Sequence, residues 1–137
     1  MILLDTHVLV WLVQGDPKLG GKALDALRKV VAEEGVLVSA ISIWEVAMLA
    51  AKGRLTLGRP TAQWVASTLA LPGIGLAPIE PMAAVEAGAL PNSIHGDPAD
   101  RIIIATARAL TCPIATADRA ILEYAKAGFV EAIDARR

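Results

Sequence analysis

Short aliphatic runs alternate along this chain with longer stretches whose apolar positions recur at helical spacing. That alternation predicts a parallel sheet covered by helices on both faces, an α/β fold of three layers, α/β/α. Strands are expected at residues 2–4, 36–38, 74–79, 113–115 and 130–133. Helices are expected at 6–13, from Asp16-Pro17 to near Gly35, and at 39–52, 61–71, 81–90, 98–110 and 119–127.

Local chemistry sets these boundaries. Asp16-Pro17 has the form of an N-cap followed by proline at the first helical position, and Leu19, Ala23, Leu27, Val30 and Val31 continue it with helical period. Gly53 stops one helix and Pro72-Gly73 another. Residues 54–58 read as a short connection and 91–96 as a loop, and no repeat, low-complexity tract or linker intervenes.

The chain of 137 residues fits one domain, 1–137. Hydrophobic residues make up 55% and aromatics only 4%, so the core is expected to be aliphatic. A mean hydropathy of +0.52 suggests that a partner covers part of the apolar surface. The uncharged stretch 60–79 is long enough to span a bilayer, but Pro72, Gly73, Gly75 and Pro78 break it and Gln63, Ser67 and Thr68 add polarity, so no membrane span is expected. The apolar N-terminus lacks a basic segment and is interrupted by Asp5 and His7, which argues against an export signal. A lone Cys112 excludes an internal disulfide framework and points to the cytoplasm.

With 13 basic and 14 acidic residues, the chain lacks the basic surplus common in nucleic-acid binders. Its basic residues do cluster: Lys52, Arg54 and Arg59 lie together, and Arg101, Arg108 and Arg119 flank two distal acids. For any one of them, solvated surface charge is the alternative.

Four carboxylates, Asp5, Glu45, Asp100 and Asp118, change this picture, because each falls where an aliphatic run ends or a helix begins. Open α/β sheets place ligands at the carboxyl ends of their strands. Acids crowded there raise one another's pKa unless a cation shares them. Asp5 follows the first strand and is either a ligand or the N-cap of the next helix, a task Thr6 could take instead. Glu45 has capping-box spacing from Ser42, but Ser39 is the better cap, which leaves Glu45 as an acid on an apolar face in need of a partner. Asp97 before Pro98 has the form of an N-cap, placing Asp100 at the third helical position; Asp100 is read as ligand and Asp97 as support, with the reverse still open. Asp118 lies just past a strand and either caps the last helix or binds metal, while Thr116 either caps or holds a water at the metal. His7 and His95 lack zinc-site spacing and read as structural or substrate-facing. Oxygen-only ligation suits Mg²⁺ or Mn²⁺.

Five segments in this order carry a resemblance: Leu4-Asp5-Thr6-His7 running on to Trp11; Ser39, Ser42 and Trp44-Glu45-Val46-Ala47; Gly53-Arg54-Leu55; the run from His95 through Asp97, Pro98, Asp100 and Arg101 to Ala107; and Thr116-Ala117-Asp118. Together they resemble the PIN domain of VapC-type toxins, over residues 1 to about Tyr124. The resemblance implies a metal-dependent endoribonuclease of a type II toxin–antitoxin pair, leaving a 5′-phosphate and a 3′-hydroxyl. It assigns Asp5, Glu45, Asp100 and Asp118 to Mg²⁺ or Mn²⁺, Asp118 being the least constant member in such proteins. Metal chemistry of this kind activates a water and stabilises charge on the phosphate, so no protein nucleophile is required. Thr6, Ser39, Asp97 and Thr116 would support the acids, and Arg101 and Lys52 are candidates for guiding the RNA backbone.

The resemblance further implies a homodimer and a VapB-like antitoxin that covers the acids. Trp11, Trp44, Met48, Leu55, Leu57 and Trp64 could line a groove for an antitoxin helix, ordinary core being the alternative for each. The rival readings lack their marks. A haloacid-dehalogenase-type phosphatase needs an acid where His7 stands, and a receiver domain needs one after the third strand, where none follows residues 74–79. A non-catalytic PIN-like module that binds RNA or protein would have lost acids that are all present.

Overall fold

A computed structural model describes residues 1–137. Its sheet contains β1 (Ile2–Leu4), β2 (Val36–Ser39), β3 (Ile74–Ala77), β4 (Ile114–Thr116) and β5 (Ala132–Asp134). All pairings are parallel, in the order β3-β2-β1-β4-β5. Seven helices connect and cover it: α1 (Thr6–Gln14), α2 (Gly21–Glu33), α3 (Ala40–Ala51), α4 (Thr61–Leu69), α5 (Pro81–Gly88), α6 (Pro98–Leu110) and α7 (Arg119–Lys126). The expected three-layer α/β/α architecture is therefore present.

The central strand shows why aliphatic runs become strands here. Successive side chains of β1 point to opposite faces, so both faces must be covered by helices before Ile2, Leu3 and Leu4 can all be buried. Ile2 and Leu4 pack with α1 to α4 through Leu9, Leu27, Val46 and Trp64. Leu3 packs on the other face with α5 to α7 through Ala83, Ile103, Ile104 and Ile121. The chain winds outward from β1 to β3 and then returns to β4 on the other side of β1. The crevice at the carboxyl ends of β1 and β4 is thus the topological switch point where ligands bind in such sheets.

Several boundaries depart from the sequence expectation. The helix expected from Asp16 begins at Gly21, with Gly20 at its N-cap. Asp16 instead closes a turn, accepting the Lys18 N–H at 2.9 Å. The cause is distant in sequence: the Gly20 N–H donates to the Ala135 carbonyl at 2.9 Å and the Ala23 N–H to the Arg137 oxygen at 3.0 Å. A Cβ on Gly20 would lie 2.3 Å from that oxygen, so only glycine permits the approach.

The fourth strand is shifted one residue later than expected, because Pro113 has no N–H to contribute to a ladder. The last strand is shifted by two at its start. Phe129 stacks on Tyr124 at 5.0 Å and Val130 is buried, so this apolar run packs against α7 before pairing begins. The third strand and the helix after it end two residues early, at Ala77 and Gly88. No helix is long and apolar enough to cross a membrane.

Candidate active site at the carboxyl edge of the sheet

Asp5 emerges from β1 and caps α1. Its Oδ1 accepts the Thr6 N–H at 2.7 Å, and its Oδ2 accepts the Thr116 hydroxyl at 2.7 Å. Asp5, not Thr6, is therefore the cap, and the side chain is 2% exposed overall. A carboxylate has about four acceptor directions, so capping leaves lone pairs for a further partner.

Relieved of capping, Thr6 turns its hydroxyl to the Glu45 carboxylate and meets Ser42 Oγ at 2.9 Å. Ser39 caps α3 by accepting the Ile41 N–H at 3.2 Å, as expected from its place at the strand end. This frees Glu45, which stands on α3 at half burial and finds in Thr6 the partner its apolar surroundings demand. The fully buried Ser42 belongs to this network too. Its spacing suggested a local backbone bond, and only the packing of α1 on α3 reveals its contact.

Asp97 caps α6, accepting the Asp100 N–H at 3.1 Å, and Asp100 occupies the helix's first turn. Asp118 caps α7 through the Ile121 N–H at 3.1 Å. Thr116 is neither cap nor free to hold a water with its proton. Its hydroxyl donates to Asp5 and accepts the Asp118 N–H at 2.9 Å, tying the two strand ends together.

The histidines divide. His7 Nε2 accepts the Ala117 N–H at 2.9 Å, its ring lies 4.9 Å from Trp11, and its Nδ1 is 3.8 Å from Asp5 Oδ2. It is a structural tie between the first turn of α1 and the segment after β4. His95 lies closer to the chemistry, with Nε2 3.3 Å from Asp100 Oδ2, and ligand atoms of His95, Asp100 and Asp118 all lie within 4.8 Å of one another. Its Nδ1 accepts the Asp97 N–H at 3.2 Å, so a neutral ring carries its proton on Nε2, the nitrogen nearer Asp100. Sequence spacing missed this pairing because it arises from the turn that caps α6.

The five acids interact through their charges, although Asp5 and Glu45 lie outside the set of His95, Asp100 and Asp118 whose ligand atoms are within 4.8 Å of one another. The Asp100 carboxyl is pushed up to about 8 from 3.8 by burial first, then by Asp5, Asp97, Asp118 and Glu45. Burial also raises Glu45, against the lowering effect of the Thr6 bond, with Asp5 and Asp97 adding to the rise. No lysine or arginine forms an ion pair with any of these five carboxylates. Such a concentration of oxygen donors, with mutual repulsion that no protein cation relieves, fits a hard divalent cation.

Of the two basic candidates, Arg101 is engaged within the fold and Lys52 is exposed. Arg101 is turned to backbone carbonyls, its Nε donating to Ala87 at 2.7 Å and its Nη1 to Ile94 and His95 at 3.3 and 3.4 Å. It pins the loop that carries His95 rather than facing a substrate. Lys52 ends α3, about 10 Å further along that helix than Glu45. Of the tryptophans, Trp64 is core, Trp11 is half-buried and Trp44 is exposed. Leu55 and Leu57 pack against the core, so the six apolar residues do not form one open groove.

Comparison with known proteins agrees with this geometry. A ribonuclease of Mycobacterium tuberculosis (strain ATCC 25618 / H37Rv), VapC22, is 37% identical over 123 residues, covering 90% of this chain and 91% of that protein. Among solved structures, FitAcB from Neisseria gonorrhoeae superposes with a TM-score of 0.65 at 25% identity, covering 98% of this chain and 97% of that one. VapBC2 from Rickettsia felis, bound to a DNA fragment from its promoter, superposes at 0.71 with 15% identity and 98% coverage of both chains. The PIN domain family matches residues 2–127, and with a parallel sheet whose switch point gathers five acids, the chain belongs to that family.

Proposed function

We propose that this chain is the ribonuclease toxin of a VapBC-type toxin–antitoxin pair, a single PIN domain over residues 1–137 that hydrolyses RNA phosphodiester bonds with Mg²⁺ or Mn²⁺. The observation that carries it is the placement of Asp5, Glu45, Asp97, Asp100 and Asp118 at the switch point with no lysine or arginine paired to them, which together with burial raises the Asp100 carboxyl to about 8. Asp5, Glu45, Asp100 and Asp118 would hold the cation, which, when bound, supplies Lewis-acid chemistry to water and phosphate oxygens.

The chain's own residues prepare that site. Thr116 and the Thr6 N–H fix both oxygens of Asp5, Thr6 fixes Glu45, Asp97 fixes the backbone of the turn that carries Asp100, and His95 lies 3.3 Å from its carboxylate. Carboxylates held in this way need no reorganisation when substrate arrives. No serine, cysteine or histidine stands in a nucleophile–base pair at the site, in keeping with direct attack by water. The family's VapC22 relative, a ribonuclease covered over nearly its whole length, supports the substrate class. The VapBC complexes among the structural neighbours support a VapB-like antitoxin as partner, and a homodimer is proposed from the family resemblance alone.

The deciding experiment is cleavage of a mixed RNA pool by purified protein with Mg²⁺ or Mn²⁺, against EDTA and against the Asp5→Asn and Asp100→Asn variants. Metal-dependent cutting that both variants lose supports the reading. An RNA-binding wild type that never cuts would instead identify a non-catalytic PIN-like module.

A further inference from the structure

A broad open groove of about 1740 Å³ runs along the outer edge of β5, between that strand and α7. One end lies at the carboxyl edge of the sheet, where Ala117 lines it beside Asp118 and where Asp134 stands level with Thr116 in the β4–β5 register. Arg119, Arg136 and Arg137 line that end, and all three are exposed. Lys126 lines the same groove two turns along α7 from Arg119, a separation of about 10 Å.

The charges of the groove are not all available. Arg108 is held by Glu86 and the Phe129 carbonyl, and Lys126 lies 3.7 Å from Glu123. Asp134 accepts the Arg136 backbone N–H at 3.0 Å but keeps its charge, and Glu131, exposed and without an ion-pair partner, lines the groove at the opposite end of β5. Arg119, Arg136 and Arg137 have no carboxylate within ion-pair distance. In a chain of net charge −1, three unpaired arginines at the mouth of a groove that opens beside the acids are a local positive field. An anionic polymer approaching five carboxylates is repelled unless such a field offsets them.

We infer that Arg119, Arg136 and Arg137 form the entry track for the RNA sugar–phosphate backbone, leading it along the β5–α7 groove to the scissile position beside Asp118. Arginine suits the task, because its planar fork meets phosphate oxygens in pairs while leaving sequence unread. The track rests on the ribonuclease reading and extends it. It assigns RNA positioning to the β5 side of the sheet, opposite the side on which Lys52 lies.

The test uses the full chain carrying R119Q, R136Q and R137Q together, with K22Q/R28Q/K29Q on exposed positions of α2 as a charge-matched control. Binding of a fluorescent single-stranded RNA is measured with EDTA across a salt series, and cleavage is measured with Mn²⁺. The triple variant should bind RNA roughly ten-fold or more weakly, with a salt slope shallower by about two, as three lost contacts to a single strand require. Its KM should rise while kcat at saturating RNA holds, and its melting temperature and the control's behaviour should match wild type. Unchanged RNA affinity and salt slope in the triple variant overturn the track. So does unchanged RNA binding with loss of binding to poly-glutamate, which would make the groove a site for an acidic peptide. Failure of the ribonuclease reading looks different: the wild type itself then cuts no RNA; if it also binds none the track falls with it, and if it binds RNA while the triple variant binds roughly ten-fold more weakly the track stands without cleavage.

Discussion

The Thr116 hydroxyl donates to Asp5 Oδ2 at 2.7 Å, joining the carboxyl ends of two neighbouring strands across 111 residues of sequence. The same oxygen accepts the Asp118 N–H, so one buried hydroxyl sets the spacing of two acids on opposite sides of the switch point. Replacing it with valine keeps the shape and removes both bonds. Thr116→Val should therefore destabilise the protein by about 1–3 kcal/mol, the usual cost of leaving buried polar groups unsatisfied. Urea unfolding checks the figure. Thr116→Ser, which retains the hydroxyl, should recover most of the stability and most of the metal-dependent cleavage; loss of cleavage in Ser and Val alike would deny the hydroxyl its role.

Asp97 and Asp100 share a turn but not a task. Asp97 serves the helix by accepting the Asp100 N–H, a function asparagine performs as well as aspartate. Asp97→Asn should keep near-wild-type stability and substantial cleavage, whereas Asp97→Ala should lose about 1 kcal/mol through the missing cap. Asp100→Asn should abolish cleavage at unchanged fold. Equal loss of cleavage in Asp97→Asn and Asp100→Asn, with circular dichroism intact, would place both acids in the metal set.

Much of this arrangement could be read from the chain, for physical reasons that differ by residue. Asp5, Asp97 and Asp118 sit at strand-to-helix junctions, where a local signal, an aliphatic run followed by a capping residue, marks the position directly. Glu45 was legible because an acid amid Trp44, Val46 and Ala47 needs a partner, although the identity of that partner, Thr6, was not. Contacts that depend on tertiary docking were out of reach. The Gly20 approach to Arg137 displaced a helix start that Asp16-Pro17 advertises, and the carbonyls of Ala87, Ile94 and His95 claimed an arginine that seemed placed for substrate. The partners of His95 were hidden for a related reason: spacing in sequence says nothing about a side chain folded back by a capping turn.

His95 makes a prediction of its own. Its Nε2 lies 3.3 Å from Asp100 Oδ2 while Nδ1 accepts the Asp97 N–H, which places the ring to orient the carboxylate rather than to ligate a cation. Partners that orient a metal ligand typically contribute 10-fold or more to affinity. His95→Ala should weaken Mn²⁺ binding by roughly 10-fold in calorimetry, and His95→Gln, whose amide N–H can replace the Nε2 donor, should restore part of it. Nitrogen hyperfine coupling to bound Mn²⁺ that disappears in His95→Ala would show direct ligation and reverse this assignment.

The raised Asp100 carboxyl fixes how metal-free stability depends on pH. Its folded value of about 8 lies above the ordinary 3.8, so between these values the folded chain holds a proton that the unfolded chain has released. Stability falls with rising pH wherever the folded state binds more protons, so this group's contribution declines from about pH 4 through about pH 8. Glu45, raised by burial, adds a decline of the same sign. The melting temperature in EDTA should therefore drop between about pH 5 and about pH 9, and Mn²⁺ should stabilise the protein increasingly over that range as protons cease to compete for the acids. Asp100→Asn removes the largest of these titrations and should flatten the EDTA profile while abolishing most of the Mn²⁺ gain. A wild-type profile in EDTA that rises over the same interval would contradict the repulsion on which the metal site rests.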